Sequence, residues 1–279
     1  MESVLEVLLL LGRPASGKSE FIDYMQRQPP ARRRRRYGLG NLVIVDDFTF
    51  LWTKFEEDDI LERLGRERLW SRRIEPSYTT TDPLIWPFLI EKINLAALKL
   101  LDAGAVRPGH DTLLIEFSRG GPTAYRDALA RLDGRLLRRA AILYIQVSFE
   151  ESCRRNRARY DEARKGSILA HSVPEEAMRA VYRLDDWQTL TAPHPTHLPL
   201  PLPRGGEGGG RGDRLTQQAG RLPYVTMLNQ PESTDPAVLD ARYGQALAEL
   251  MRRWQSAQGQ PLPNSPAGAG SSRRISARR

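Results

Sequence analysis

A single cysteine, Cys153, stands in the 279 residues, which excludes an internal disulfide and any zinc site built from several thiolates. The four histidines, His110, His171, His194 and His197, lack metal-ligand spacing. No run approaches the roughly 18 apolar residues a membrane span needs. The apolar stretch Val4 to Leu11 is too short for a secretory leader and carries Glu2 and Glu6 where a leader has basic residues. A reducing cytoplasm and no membrane are therefore expected. The sequence also lacks a basic body. Its formal charge is +8, but Arg32 to Arg36 supply five positive charges and Arg273, Arg274, Arg278 and Arg279 four more. Without these nine the remainder carries −1, so the net charge by itself does not point to nucleic acid.

Hydrophobic residues make up 40% and charged residues 27% of the chain, the composition of a globular protein with a real core. Val4 to Leu11 reads as a buried parallel strand. The next three strands are expected at Leu42 to Val45, Asp111 to Phe117 and Ala140 to Val147, and a fifth at Arg221 to Leu228. Helical patterns run from Lys18 to Gln28, where Pro29-Pro30 stops the helix, and over 58–73, 87–103, 122–138, 149–165, 174–187 and 235–257. This alternation predicts a three-layer α/β/α fold around a mostly parallel five-stranded sheet. The main domain is expected over 1–257, with a helical substrate insert at 48–109, a lid region at 149–190 and a flexible Pro/Gly-rich loop at 191–213. Residues 258–279 read as a disordered basic tail. The Arg-Gly-Asp at 211–213 reads as coincidence.

Gly12, Arg13, Pro14, Ala15, Ser16, Gly17, Lys18 and Ser19 match G-x-x-x-x-G-K-[ST] at every fixed position, between an apolar strand and a helix. Gly12 and Gly17 permit backbone conformations in which successive amides face phosphate oxygens, and the helix N-terminus adds positive potential. Lys18 is expected to reach the β- and γ-phosphates of ATP, and the Ser19 hydroxyl to ligate Mg2+.

Two acidic strand ends accompany the loop, Asp46-Asp47 after the second strand and Glu116-Phe117-Ser118-Arg119-Gly120-Gly121 after the third. Together these features resemble the P-loop nucleoside and nucleotide kinase superfamily, which includes deoxynucleoside, shikimate, gluconate and polynucleotide 5′-kinases. The resemblance spans roughly Val4 to Leu250. It implies that Asp46 or Asp47 meets the acceptor hydroxyl as general base or anchor; the alternative is that one of them caps the next helix. It implies that Glu116 supports Mg2+ or orients the acceptor, against a purely structural ion pair. Residues 116–121 look like a loosened Glu-Arg-Ser element with the arginine displaced to Arg119. The basic stretch starting at Phe149 is similar to the lid helix of these kinases, which implies that Arg155 or Arg159, sharing one face at i, i+4, covers the transferring phosphate. A solvated face paired with Glu150, Glu151 or Asp161 is the competing account.

Arg32 to Arg36 is read as a loop with three candidate roles: solvated surface, a site for a polyanionic acceptor, or a contact for nucleic acid, the last not favoured. Trp52, Trp70, Tyr78, Trp86 and Phe88 either line an acceptor pocket or form the core of the insert. The expected activity is γ-phosphoryl transfer from MgATP to a small acceptor, nucleoside- or nucleotide-like favoured. The alternatives are a P-loop ATPase or switch, a kinase-like toxin of the zeta type, and an inactive ATP-binding module. The sequence leaves room for a homodimer.

Overall fold

Strand β1 (Val7–Gly12) is buried along its whole length, because alternate residues feed two different cores. Val7, Leu9 and Leu11 pack into one and Leu8 and Leu10 into the other. The computed structural model describes residues 3–74, 77–159, 173–200 and 220–259. Beside β1 lie β5 (Asp111–Phe117) and β6 (Ala140–Gln146), both parallel to it. Outside them lie β2 (Asn41–Asp46) and β8 (Gly220–Leu228), also parallel. The edge strand β7 (His197–Leu200) runs antiparallel to β8, giving the order β2-β5-β1-β6-β8-β7.

Helices α1 (Lys18–Arg27), α2 (Pro30–Tyr37) and α10 (Pro236–Gln258) cover one face through Phe21, Met25, Tyr37, Tyr243, Leu247 and Leu250. On the other face sit α4 (Ile85–Asp102), α5 (Ala124–Arg131), α6 (Gly134–Leu137) and α9 (Trp187–Thr191). Ile90, Ile93, Tyr125, Leu129, Leu136 and Trp187 form that core. The result is the expected three-layer α/β/α arrangement. Helices α3 (Asp47–Arg63), α7 (Phe149–Ala158) and α8 (Glu175–Val181) border the carboxyl ends of the strands.

Several expectations need correction. Arg32 to Arg36 is helical, because Pro30 takes the first helical position, where proline's missing amide costs nothing. Nor does α2 approach the substrate side: Arg33 donates to the Gly40 carbonyl at 2.8 Å and Arg34 to that of Gly109 at 2.8 Å. Those carbonyls lie at the amino ends of β2 and β5, opposite the glycine loop. The segment 58–73 is helical only to Arg63; it then enters a hairpin of β3 (Ser71–Ile74) and β4 (Ser77–Thr80). The pattern over 122–138 divides into α5 and α6, and that over 174–187 into α8 and the start of α9. The sheet has six strands rather than five. The sixth, β7, lies inside the stretch read as a loop, where Leu198 and Leu200 are buried and Pro199 is tolerated because the strand is at an edge. The end of the 149–165 pattern, most of the 191–213 loop with its Arg-Gly-Asp, and nearly all of 258–279 lie outside the described residues. No helix among the described residues is long and apolar enough to cross a membrane.

Candidate functional site

In a parallel sheet, loops from neighbouring strands meet at the carboxyl ends. Here those of β1, β2 and β5 bring together the glycine loop, Asp46-Asp47 and Glu116 to Arg119. The loop leaves β1 at Gly12, with φ 150°, and enters α1 at Gly17, with φ 108°. A Cβ at Gly12 would fall 2.5 Å from the Ile145 carbonyl oxygen, and one at Gly17 2.3 Å from Asn229 Nδ2. Both positions therefore require glycine. Ser16 N donates to the Arg13 carbonyl at 3.2 Å, and Phe21 N to that of Gly17 at 3.0 Å. The amides of the first helical turn, which include those of Lys18 and Ser19, have no preceding carbonyl of their own helix to bond.

Lys18 is buried, and its Nζ donates to the carbonyls of Gly12 at 3.2 Å and Arg13 at 3.0 Å and to Ser118 Oγ at 2.7 Å. Glu116 Oε1 lies 3.9 Å away. Burial lowers the Lys18 pKa, Glu116 opposing the shift. Ser19 is exposed at the helix start.

Asp46 and Glu116 are register partners on β2 and β5. Burial, then the charge of Asp47, pushes Asp46 up to about 6. Burial pushes Glu116 up to about 7, against the pull of Lys18. Asp46 also caps α3, accepting from Phe48 N at 2.9 Å. Burial likewise raises Asp47, opposed by its ion pair with Arg119.

The two arginines expected over the phosphate separate. Arg155 is buried and donates to Glu151 at 2.7 Å and to the Asn229 carbonyl at 2.7 Å, with the Ser16 carbonyl at 3.5 Å. It braces the loop from behind. Arg159 is partly exposed and meets Glu20 at 2.7 Å. Its charge is felt by Lys18 and by Glu116. Of the neighbours, Arg154 pairs with Glu151 and Glu232, and Arg157 with Glu175, at the surface.

Sequence reasoning missed the residues that hold the loop from outside. Asn229 donates through Nδ2 to the Ser16 carbonyl at 2.8 Å and accepts from Arg242. Arg13 reaches Asp185 at 2.7 Å and the Tyr182 carbonyl at 3.2 Å. A polar residue following an apolar strand, as Asn229 follows β8, was the available signal; Asp185 offered none. Of the five insert aromatics, Trp52 packs with Phe55 and Tyr78, and Trp70 with Phe88. Trp86 is drawn toward these loops, its ring 5.5 Å from the Arg119 guanidinium.

No family model matches this sequence, and no curated protein matches it. Among solved structures, a sugar kinase from Janibacter sp. overlaps 89% of this chain and 97% of its own, at 14% identity and a TM-score of 0.38. A shikimate kinase from Acinetobacter baumannii overlaps 69% and 78%, at 14% identity and 0.32. Both overlaps are too loose to carry an argument. The fold follows instead from the strand order, the covering layers and the glycine loop joining β1 to α1, which together give the chain a P-loop kinase-like architecture.

Proposed function

We propose that the protein is an ATP-dependent phosphotransferase acting on a small acceptor. One observation carries this: the loop holding Lys18 opens at the point where β2 and β5 deliver three carboxylates, all with raised pKa values. The glycine loop supplies amides and Lys18 a point charge for a polyphosphate. The carboxylates suit a centre where a hydroxyl loses its proton and a cation is held.

Mg2+ fits these residues. Buried carboxylates with raised pKa values are a surplus of negative charge that a divalent cation relieves. Among the described residues no three His, Cys, Asp or Glu side chains form a metal cage. Magnesium seldom needs one, since it takes one or two protein groups together with phosphate oxygens and water. Ser19 and Glu116 would hold it, and when bound it would neutralise charge on the phosphates.

Asp46 is the base in this reading. Its carboxylate accepts the proton of the acceptor hydroxyl as that oxygen bonds to phosphorus and the bond to the departing nucleoside diphosphate breaks. Asp47, committed to Arg119, positions that arginine. Arg159 exchanges Glu20 for phosphate oxygens, and Arg155 maintains loop shape.

The test is incubation with γ-labelled ATP, Mg2+ and a panel of sugars, polyols, hydroxy acids and nucleosides, with Lys18→Ala as control. Label on an acceptor, lost in the variant, is the expected result. Label in inorganic phosphate alone would make the protein an ATPase, and no turnover with retained ATP binding would make it a binding module.

A further inference from the structure

Arg119 is 3% exposed, and its five donors are used unevenly. Nη1 donates to Asp47 Oδ2 and to the Ser118 carbonyl at 2.7 Å. Among the described residues, neither Nε nor Nη2 meets an acceptor, although both are fully buried. Buried N–H groups almost always find partners, and one left without has lost its hydration with nothing in exchange. Two on one guanidinium are a stronger signal than one.

Geometry identifies what would satisfy them. Nε and Nη2 form one edge of the planar guanidinium, the side-on fork that receives two oxygens of a carboxylate or phosphate in parallel. Asp47 does not take that edge; it bonds to Nη1. Nor can a ligand approach the guanidinium face freely, since the Phe117 ring lies at 5.1 Å and the Trp86 ring at 5.5 Å. The edge is the remaining direction. It lies in the loop after β5, beside Asp47 and one residue from Ser118, the partner of Lys18.

We propose that the Nε–Nη2 edge of Arg119 is a subsite for an oxyanion on the phosphoryl acceptor, a carboxylate or a phosphate monoester. This rests on the phosphotransferase reading and narrows it: the acceptor is an anionic hydroxy compound rather than a neutral nucleoside. Trp86 and Phe117 fix the guanidinium plane, and Asp47 fixes its rotation. Entry requires the segment after α8 to move, since Tyr182 packs edge-on to Trp86 at 6.3 Å and Gly121 N bonds to the Leu184 carbonyl at 2.8 Å.

Calorimetric titration with glycolate, methyl phosphate and the neutral analogue glycolamide tests this on the full chain. Wild type and Lys18→Ala are both expected to bind glycolate or methyl phosphate and not glycolamide; whichever anion binds more tightly identifies the acceptor group. Arg119→Lys, which keeps the charge and lacks the fork, is expected to bind roughly tenfold more weakly, and Arg119→Gln not at all. Circular dichroism establishes that each variant is folded, and Arg119→Lys carries the test if Arg119→Gln is not. Failure of the folded wild type to bind either anion, or equal binding by folded Arg119→Lys, would overturn the subsite. ATP binding by wild type, measured separately, reports the loop. Its absence alongside Arg119-dependent anion binding would refute the phosphotransferase reading and leave the oxyanion subsite itself standing.

Discussion

Asp46 and Glu116 face each other in register across β2 and β5, so two largely buried carboxyl groups share the carboxyl edge of the sheet. Each is raised, to about 6 and about 7, from ordinary values of 3.8 and 4.5. A carboxyl whose folded pKa is raised stabilises the fold below its unfolded pKa and loses that contribution as pH climbs through the folded value. The ligand-free protein should therefore lose stability between about pH 4 and 7. At one pKa unit per roughly 1.4 kcal/mol, Glu116→Gln should stabilise the ligand-free protein by about 3 kcal/mol near pH 8 and by almost nothing near pH 4. Urea denaturation at the two pH values checks this, and a gain of equal size at both would contradict it.

Gly17 holds the helix end of the loop in a conformation that favours glycine. An added methyl would meet Asn229 Nδ2 at 2.3 Å, at a φ of 108° that side chains rarely adopt. Gly17→Ala should cost about 1–3 kcal/mol and abolish ATP binding in an equilibrium assay, since relief comes only by displacing Asn229 from the Ser16 carbonyl. Gly65 has a similar φ of 73° with nothing near it. Gly65→Ala should therefore leave ATP binding intact.

The five parallel strands were legible because each is an apolar run buried on one or both faces, and the loop because its glycines and lysine have fixed spacing. What escaped was encoded differently. Pro29-Pro30 ends α1 but also starts α2, and the same residues serve either outcome. The β3–β4 hairpin carries Ser71, Arg72, Arg73, Ser77, Thr79 and Thr80, too polar to alternate visibly. It is held instead by buried Asp58, which accepts from Leu69 N, Trp70 N and Ser71 Oγ. Strand β7 hides its two inward leucines among prolines. Asn229 and Asp185 contact the loop across more than 150 residues of sequence, a relationship no local pattern records.

Asp185 gives a prediction of its own. It holds Arg13 at 2.7 Å and accepts from the Tyr144 hydroxyl and Trp187 N, each at 3.1 Å. Arg13 also bonds the Tyr182 carbonyl, so the segment before α9 steadies the glycine loop. Asp185→Asn removes the charge opposing a largely buried arginine and should cost about 2–3 kcal/mol. Because the effect reaches ATP through loop shape, KM for ATP should rise severalfold more than kcat falls. The reverse pattern would place Asp185 in the chemical step.

Arg155 and Arg159 share a helix face, yet the structure gives them opposite surroundings. Arg155 is 5% exposed and spends its donors on Glu151 and the carbonyls of Asn229 and Ser16. Replacing it with alanine strands buried acceptors and should cost about 3 kcal/mol or more. Among the described residues Arg159 pairs with exposed Glu20, and such a pair contributes at most about 1 kcal/mol. Arg159→Ala should therefore melt close to wild type while kcat falls by at least about tenfold, as expected for a cation that meets charge developing on the phosphoryl group. Glu20→Gln releases Arg159 from its resting partner and should leave kcat unchanged or raise it. Thermal melts beside steady-state kinetics on these three variants separate the brace from the catalytic cation. If Arg159→Ala lost stability and kept kcat, the assignment of Arg159 to the phosphate would fall.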